Sequence, residues 1–240
     1  MNGRGEAAVS LHVEREGSGA PMVLTHGLGS SSQTWLSLRP HLPEGWAVTT
    51  WDLRGHGRSA TSALYSREAG VADLTGVLDD VAGGEPAVLV GHSLGGYLSL
   101  ALAVDRPDLV RALVLIATGP GFRDAQRREA WNDMLVRQAP RLGVAPAVTG
   151  LCAQPDSAVL ERLDTIAVPV VAVVGARDHR FHAAAELFGR RLGATVHVVL
   201  DTGHDPHESQ PIPVAAAIGD LLDRVDARQE RAGWNMTQHT

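Results

Sequence analysis

Residues 87 to 104 read AVLVGHSLGGYLSLALAV, an apolar strand pattern running through Gly91-His92-Ser93-Leu94-Gly95 into a helical pattern. A G-x-S-x-G string between a strand and a helix places its serine on a sharp, strained turn with the hydroxyl projecting. Glycines on either side let backbone approach a residue held in unfavourable φ/ψ. The helix N-terminus beneath Ser93 adds a positive dipole end for developing negative charge. A serine hydroxyl is a poor nucleophile at neutral pH, so it needs an adjacent base that is itself oriented by a carboxylate. Asp178 follows the apolar run VPVVAVV in GARD, and His204 follows the next strand pattern in DTGHD. Taken singly, an aspartate after a strand is ordinarily a turn or helix cap, and a histidine there a solvated loop residue. Together, in the order Ser, Asp, His and each at a strand C-terminal end, they form the expected catalytic set. Asp201 and Asp205 are too close in sequence to His204 to orient it from across a sheet, and Asp124 is the main competitor for the acid role.

Such chemistry also needs two N–H groups aimed at the oxyanion. Leu94, directly after the nucleophile, offers one. The loop after the apolar run MVLT reads His26-Gly27-Leu28-Gly29, where the N–H of Leu28 offers the second. The competing reading of HGLG is a simple glycine turn.

The elements that must position these groups follow from apolar periodicity. Runs without alternation at 22–25, 87–90, 112–117 and 168–174 suit strands covered on both faces of a parallel sheet. Weaker strand signals lie at 9–13, 46–51 and 195–200, and helical spacing at 67–82, 94–105, 183–192 and 211–228. In the last stretch Val214, Ile218, Leu221, Leu222 and Val225 recur on one face. Alternating strands and helices predict a layered α/β domain over 1–228 with a mostly parallel sheet. Residues 119 to 166 interrupt the alternation and predict a short lid over the strand ends. In it Trp131, Met134, Leu135 and Gln138 share a helical face, and Asp156 or Ser157 would cap a second short helix. Phe122, Trp131, Met134 and Leu135 are the expected pocket lining, although they could equally pack the lid onto the body. Arg123, Arg127 and Arg128 could meet an anionic substrate, but a charge run on a helix is ordinarily a solvated face. Residues 229 to 240 (QERAGWNMTQHT) lack a helical stripe and read as an irregular tail.

Composition narrows the function classes. The chain has 240 residues, with 21 Lys and Arg against 27 Asp and Glu, a formal charge of −6. No basic block supplies a nucleic-acid footprint. A single cysteine, Cys152, excludes an internal disulfide. The N-terminus lacks a basic-then-apolar leader and no stretch reaches 18 uninterrupted apolar residues, so a cytoplasmic location, a small-molecule partner and no membrane contact are expected. His179 and His182, with His204 and His207, invite a metal reading. No carboxylate set accompanies them and His204 is already employed, so neither metal nor cofactor is expected.

Across residues 9 to 228 the chain resembles the α/β-hydrolase superfamily. The resemblance rests on His26-Gly27-Leu28-Gly29, on the segment from Asp52 to Ser59 (DLRGHGRS), on Gly91 to Gly96, on Gly175 to Asp178, and on Gly203-His204. It implies an α/β-hydrolase fold with a short helical lid, and an esterase-like hydrolase using Ser93, Asp178 and His204. It also implies that Asp52 to Ser59 is a structural loop beside the site. Relatives that are haloalkane dehalogenases or epoxide hydrolases carry aspartate at the elbow, so Ser93 disfavours both reactions. Carboxylesters, thioesters, lactones and carbon–carbon bonds stay open. The sequence around His204 to Pro211 is loosely similar to the lyase of menaquinone biosynthesis, and some relatives of this fold are low-turnover ligand receptors.

Overall fold

Four apolar runs become the buried centre of a seven-stranded sheet, in a computed structural model that describes residues 9–237. The strands are β1 (Val13–Glu16), β2 (Ala20–Thr25), β3 (Trp46–Trp51), β4 (Ala87–His92), β5 (Val110–Ile116), β6 (Val170–Gly175) and β7 (Thr195–Val199). Their spatial order is β1-β3-β2-β4-β5-β6-β7, with β1 antiparallel to β3 and every other neighbouring pair parallel. Along β4, Ala87 and Leu89 face one core while Val88 and Val90 face the other, and β5 and β6 alternate likewise. Cover on both faces is why these strands read as continuous apolar runs.

One face is covered by α1 (Arg67–Ala82), α2 (Leu94–Asp105) and α5 (His179–Leu192), the other by α7 (Pro211–Thr237). The chain leaves β2 for β3 on one side and then returns to place β4 on the other. The C-terminal ends of β2 and β4 therefore flank a topological switch point, where such sheets open a crevice. The loops after β2, β4, β6 and β7 carry every group singled out for chemistry.

Between β5 and β6 the insertion holds α3 (Ala125–Gln138), a run of 3-10 turns and α4 (Ala158–Glu161). Of the two expected caps of α4, Asp156 supplies the bond, its carboxylate accepting from Ala158 N–H at 2.9 Å, whereas Ser157 holds the N-cap position without a side-chain capping bond.

Most element ends fall within about two residues of the sequence expectations, and three differ by more. The first strand is Val13–Glu16 rather than 9–13, because an edge strand carries charged side chains and has no apolar run to mark it. α5 starts at His179 rather than 183, before its apolar stripe begins. The tail expected from 229 onward is helical as far as Thr237. Once the face from Val214 to Val225 is packed, each further residue adds a hydrogen bond to an existing helix without a new nucleation cost. Residues 1–8 and 238–240 lie outside the described residues, and with them most of the N-terminal segment in which no leader is expected and the end of the expected tail.

A buried ion pair ties the loop after β3 to α1. Arg54 donates from Nε and Nη2 to Asp73 at 2.6 and 2.8 Å, with both side chains under a tenth exposed. Asp73→Ala should cost about 3–5 kcal/mol, because it removes two charge-assisted hydrogen bonds from a buried guanidinium. Urea unfolding checks this, and a loss below about 1 kcal/mol would contradict it.

Candidate active site

Ser93 occupies the turn between β4 and α2 at φ 50° and ψ −109°, a region that side chains rarely adopt. Its backbone is over-determined. The N–H donates to Ile116 O at 2.9 Å, and the carbonyl accepts from Tyr97 N–H at 3.1 Å and from the Thr118 hydroxyl at 2.6 Å. Gly95 allows the close approach that this turn requires, since a Cβ there would run into the carbonyl of Thr25.

Asp178 stands at the N-cap position of α5 yet makes no capping bond with its side chain. Its carboxylate turns instead to His204, whose Nδ1 lies 2.7 Å from Oδ2. The side-chain cap that is the ordinary sequence reading of an aspartate at this place is therefore not formed. Asp178 is 10% exposed and His204 39%, so the acid is sheltered while the imidazole is open to the cleft. Asp124 caps α3 by accepting from Arg127 N–H at 2.8 Å, which removes it from competition.

Ser93, Asp178, His204 and Leu28 line one cleft of about 660 Å³, together with Trp131, Met134 and Leu135. A second cavity of about 260 Å³ opens from Ser93 and is lined by Phe122 and Trp131. All four residues expected to line a pocket do so. Trp131 lines both cavities and also packs, with its indole N–H donating to Cys152 O at 3.3 Å, so its two readings hold together. Leu94 is the first residue of α2, at the helix end beneath Ser93.

Sequence reasoning missed the residues packed behind His204. His92 Nε2–H donates to the backbone carbonyl of His204 at 2.9 Å, and the two rings are 4.9 Å apart. Behind it lies the fully buried His207, 4.4 Å from the His92 ring, with Nε2 2.8 Å from the Thr34 hydroxyl. On the cleft side Phe181 stacks on His204 at 5.1 Å and 26°. The only signal available was that His92 sits inside the elbow motif and His207 three residues after His204. His26 fixes the loop after β2: Nδ1–H donates to Gly27 O at 2.7 Å and Nε2 accepts from Leu53 N–H at 3.0 Å. Burial pushes His26 and His207 down to about 3 and holds His92 well below its usual value, so all three are neutral near pH 7. Asp52, read as structural, accepts from Ser32 N–H at 2.6 Å and Arg58 N–H at 2.8 Å.

Among the described residues, potential metal-ligand atoms of His92, Asp205 and His207 fall within 4.8 Å of one another, a grouping that sequence spacing had not singled out. Nε2 of each histidine is already committed to a hydrogen bond. His182 Nε2–H is likewise committed, to Gly175 O at 3.0 Å.

A strained serine at a strand-to-helix elbow, beside an Asp–His pair at the ends of later parallel strands, defines the α/β-hydrolase class. The alpha/beta hydrolase family model matches residues 22–217, and the chain belongs to that family. Over 158 residues it is 39% identical to "Lipase LipV" of Mycobacterium tuberculosis, covering 64% of this chain and 60% of that protein. A match to an uncharacterized Mycobacterium bovis protein covers 32% of the latter, so the chain spans less than two-thirds of these relatives. A putative 2-succinyl-6-hydroxy-2,4-cyclohexadiene-1-carboxylate synthase of Bacillus subtilis is 24% identical over 85% of this chain and 90% of its own length. The solved structure of a thermophilic esterase from Thermogutta terrifontis matches with a TM-score of 0.75 and 25% identity, over 90% of this chain and 94% of that one. No helix among the described residues is long and apolar enough to cross a membrane.

Proposed function

We propose that the protein is a serine hydrolase that cleaves an ester, thioester or related acyl bond of a small molecule through an acyl-enzyme on Ser93. The observation that carries this reading is the 2.7 Å contact between His204 and Asp178 in the cleft that Ser93 lines from its strained elbow. Ser93 Oγ attacks the carbonyl carbon as His204 Nε2 takes its proton, and Asp178 holds Nδ1–H and favours the imidazolium. The N–H groups of Leu28 and Leu94 hold the oxyanion. The bond to the leaving alcohol or thiol then breaks and His204 returns the proton to it. Water repeats the sequence on the acyl-enzyme, releasing the acid and restoring Ser93. No cofactor enters this scheme.

Fluorophosphonate treatment followed by intact-mass measurement tests it without knowledge of the substrate. The native protein should gain one adduct and Ser93→Ala none. If the native protein gains none, the nucleophile is not activated and a low-turnover receptor of the same fold becomes the better reading. A second reaction on the same residues, carbon–carbon cleavage or elimination, is favoured by the likeness to the putative Bacillus synthase over most of both chains. An ester and thioester panel that is inert while the adduct still forms would select it.

A further inference from the structure

The cavity of about 260 Å³ that opens from Ser93 has an apolar wall that includes Phe122, Trp131, Phe181 and Leu187. Its charged lining is one-sided: Arg127 comes from α3 and Arg180 from α5, and no aspartate or glutamate lines it, in a chain whose net charge is −6. Neighbouring arginines are employed elsewhere. Arg128 donates back to the carbonyls of Phe122 and Arg123, at 3.1 and 2.6 Å, and Arg177 donates to the carbonyl of Asp201. The same cavity contains Gln154, which is 6% exposed. Its backbone is held on both sides by the Asn132 amide, and its Oε1 accepts from Phe122 N–H at 3.1 Å. With the oxygen so used, the NH2 is what this anchored side chain has to offer a ligand. Two guanidiniums, both open to solvent, line one small cavity from different helices and offer charge-assisted donors to an anion that enters it.

We propose that the substrate's acyl chain ends in a carboxylate: the apolar chain occupies this cavity, and the terminal carboxylate lies between Arg127 and Arg180 and accepts from the Gln154 NH2. The proposal rests on the reading of Ser93 as nucleophile and narrows it to half-esters or half-thioesters of short dicarboxylic acids.

The test compares monomethyl glutarate with methyl pentanoate by pH-stat hydrolysis. The native protein should favour the charged ester about 10-fold or more in kcat/KM, the scale expected when a polar site meets an analogue lacking its partner at partly exposed groups. In Arg127→Gln and in Arg180→Gln that ratio should fall towards one. Glutarate, and not pentanamide, should bind the Ser93→Ala protein in calorimetry, and Arg127→Gln introduced into that protein should abolish the heat. A ratio at or below one in the native protein, a ratio unmoved in both variants, or no glutarate binding overturns the proposal. Fluorophosphonate labelling of the native protein reports the nucleophile separately, so an intact adduct beside any of those results discards the anionic substrate and keeps the catalytic reading.

Discussion

Asp178→Asn should lower kcat by about 10³- to 10⁴-fold, roughly 4–5.5 kcal/mol of barrier, while leaving KM within a few-fold of native. The carboxylate lies 2.7 Å from His204 Nδ1 and is nearly buried. In the proposed mechanism it fixes the tautomer with the proton on Nδ1, so that Nε2 carries the lone pair that takes the Ser93 proton. An asparagine NH2 at the same place would face Nδ1 as a donor and drive the proton to Nε2. The imidazolium that forms during attack would also lose its counter-charge. Because Asp178 makes no capping bond to α5, the substitution should leave thermal unfolding close to native. Steady-state rates on any turned-over ester, together with the rate of fluorophosphonate labelling, measure the effect. Retention of full activity would remove Asp178 from the mechanism.

The second large effect is loss of stability in mild acid. His26, His92 and His207 are buried and held neutral in the folded protein, with values pushed well below 6.5. Burial is the main reason they resist a second proton, and the nitrogen that would take it meets no acceptor. Thr34 donates its hydroxyl proton to Glu208, so His207 Nε2–H is the donor to Thr34 and Nδ1 is bare, buried and without a partner. His92 likewise spends Nε2–H on His204 O and leaves Nδ1 bare and buried. His26 accepts at Nε2 from Leu53 N–H, so a proton there would face another donor. Above pH 6.5 both folded and unfolded chains hold these rings neutral and stability is complete. As pH falls below 6.5 the unfolded chain takes up protons that the folded one refuses, and stability drains away towards pH 3. At pH 5 the loss is about 2 kcal/mol for each of His26 and His207, with His92 adding in the same direction, against a typical total of about 5–15 kcal/mol. Urea midpoints at pH 7 and pH 5 should therefore differ strongly, and His207→Gln should flatten the pH dependence by about a third. Equal midpoints at the two pH values would show that these rings titrate normally when folded.

The sequence by itself determined the sheet's central strands, the helices α1 and α2 to the residue, and the identity of the serine, aspartate and histidine that meet in the cleft. It could do so because these features are local. A strand buried on both faces is a continuous apolar run, and an elbow needs glycines at fixed offsets from its serine. The edge strand β1 and the C-terminal extent of α7 escaped, because charged edge residues and a helix carried past its packed face leave no apolar period to read. The tertiary structure then turned the Asp178 carboxylate to His204 and that of Asp124 to the first turn of α3, contacts that no local pattern encodes. It alone divided the arginines into those that tie down backbone carbonyls and those that line the cavity. It alone brought Trp35, His207, His92, His204 and Phe181 into one series of ring contacts. Each of these outcomes depends on which atoms from residues far apart in the chain come within hydrogen-bond or van der Waals reach. Those distances are set by how the layers pack on the sheet, and no single segment of the sequence encodes them.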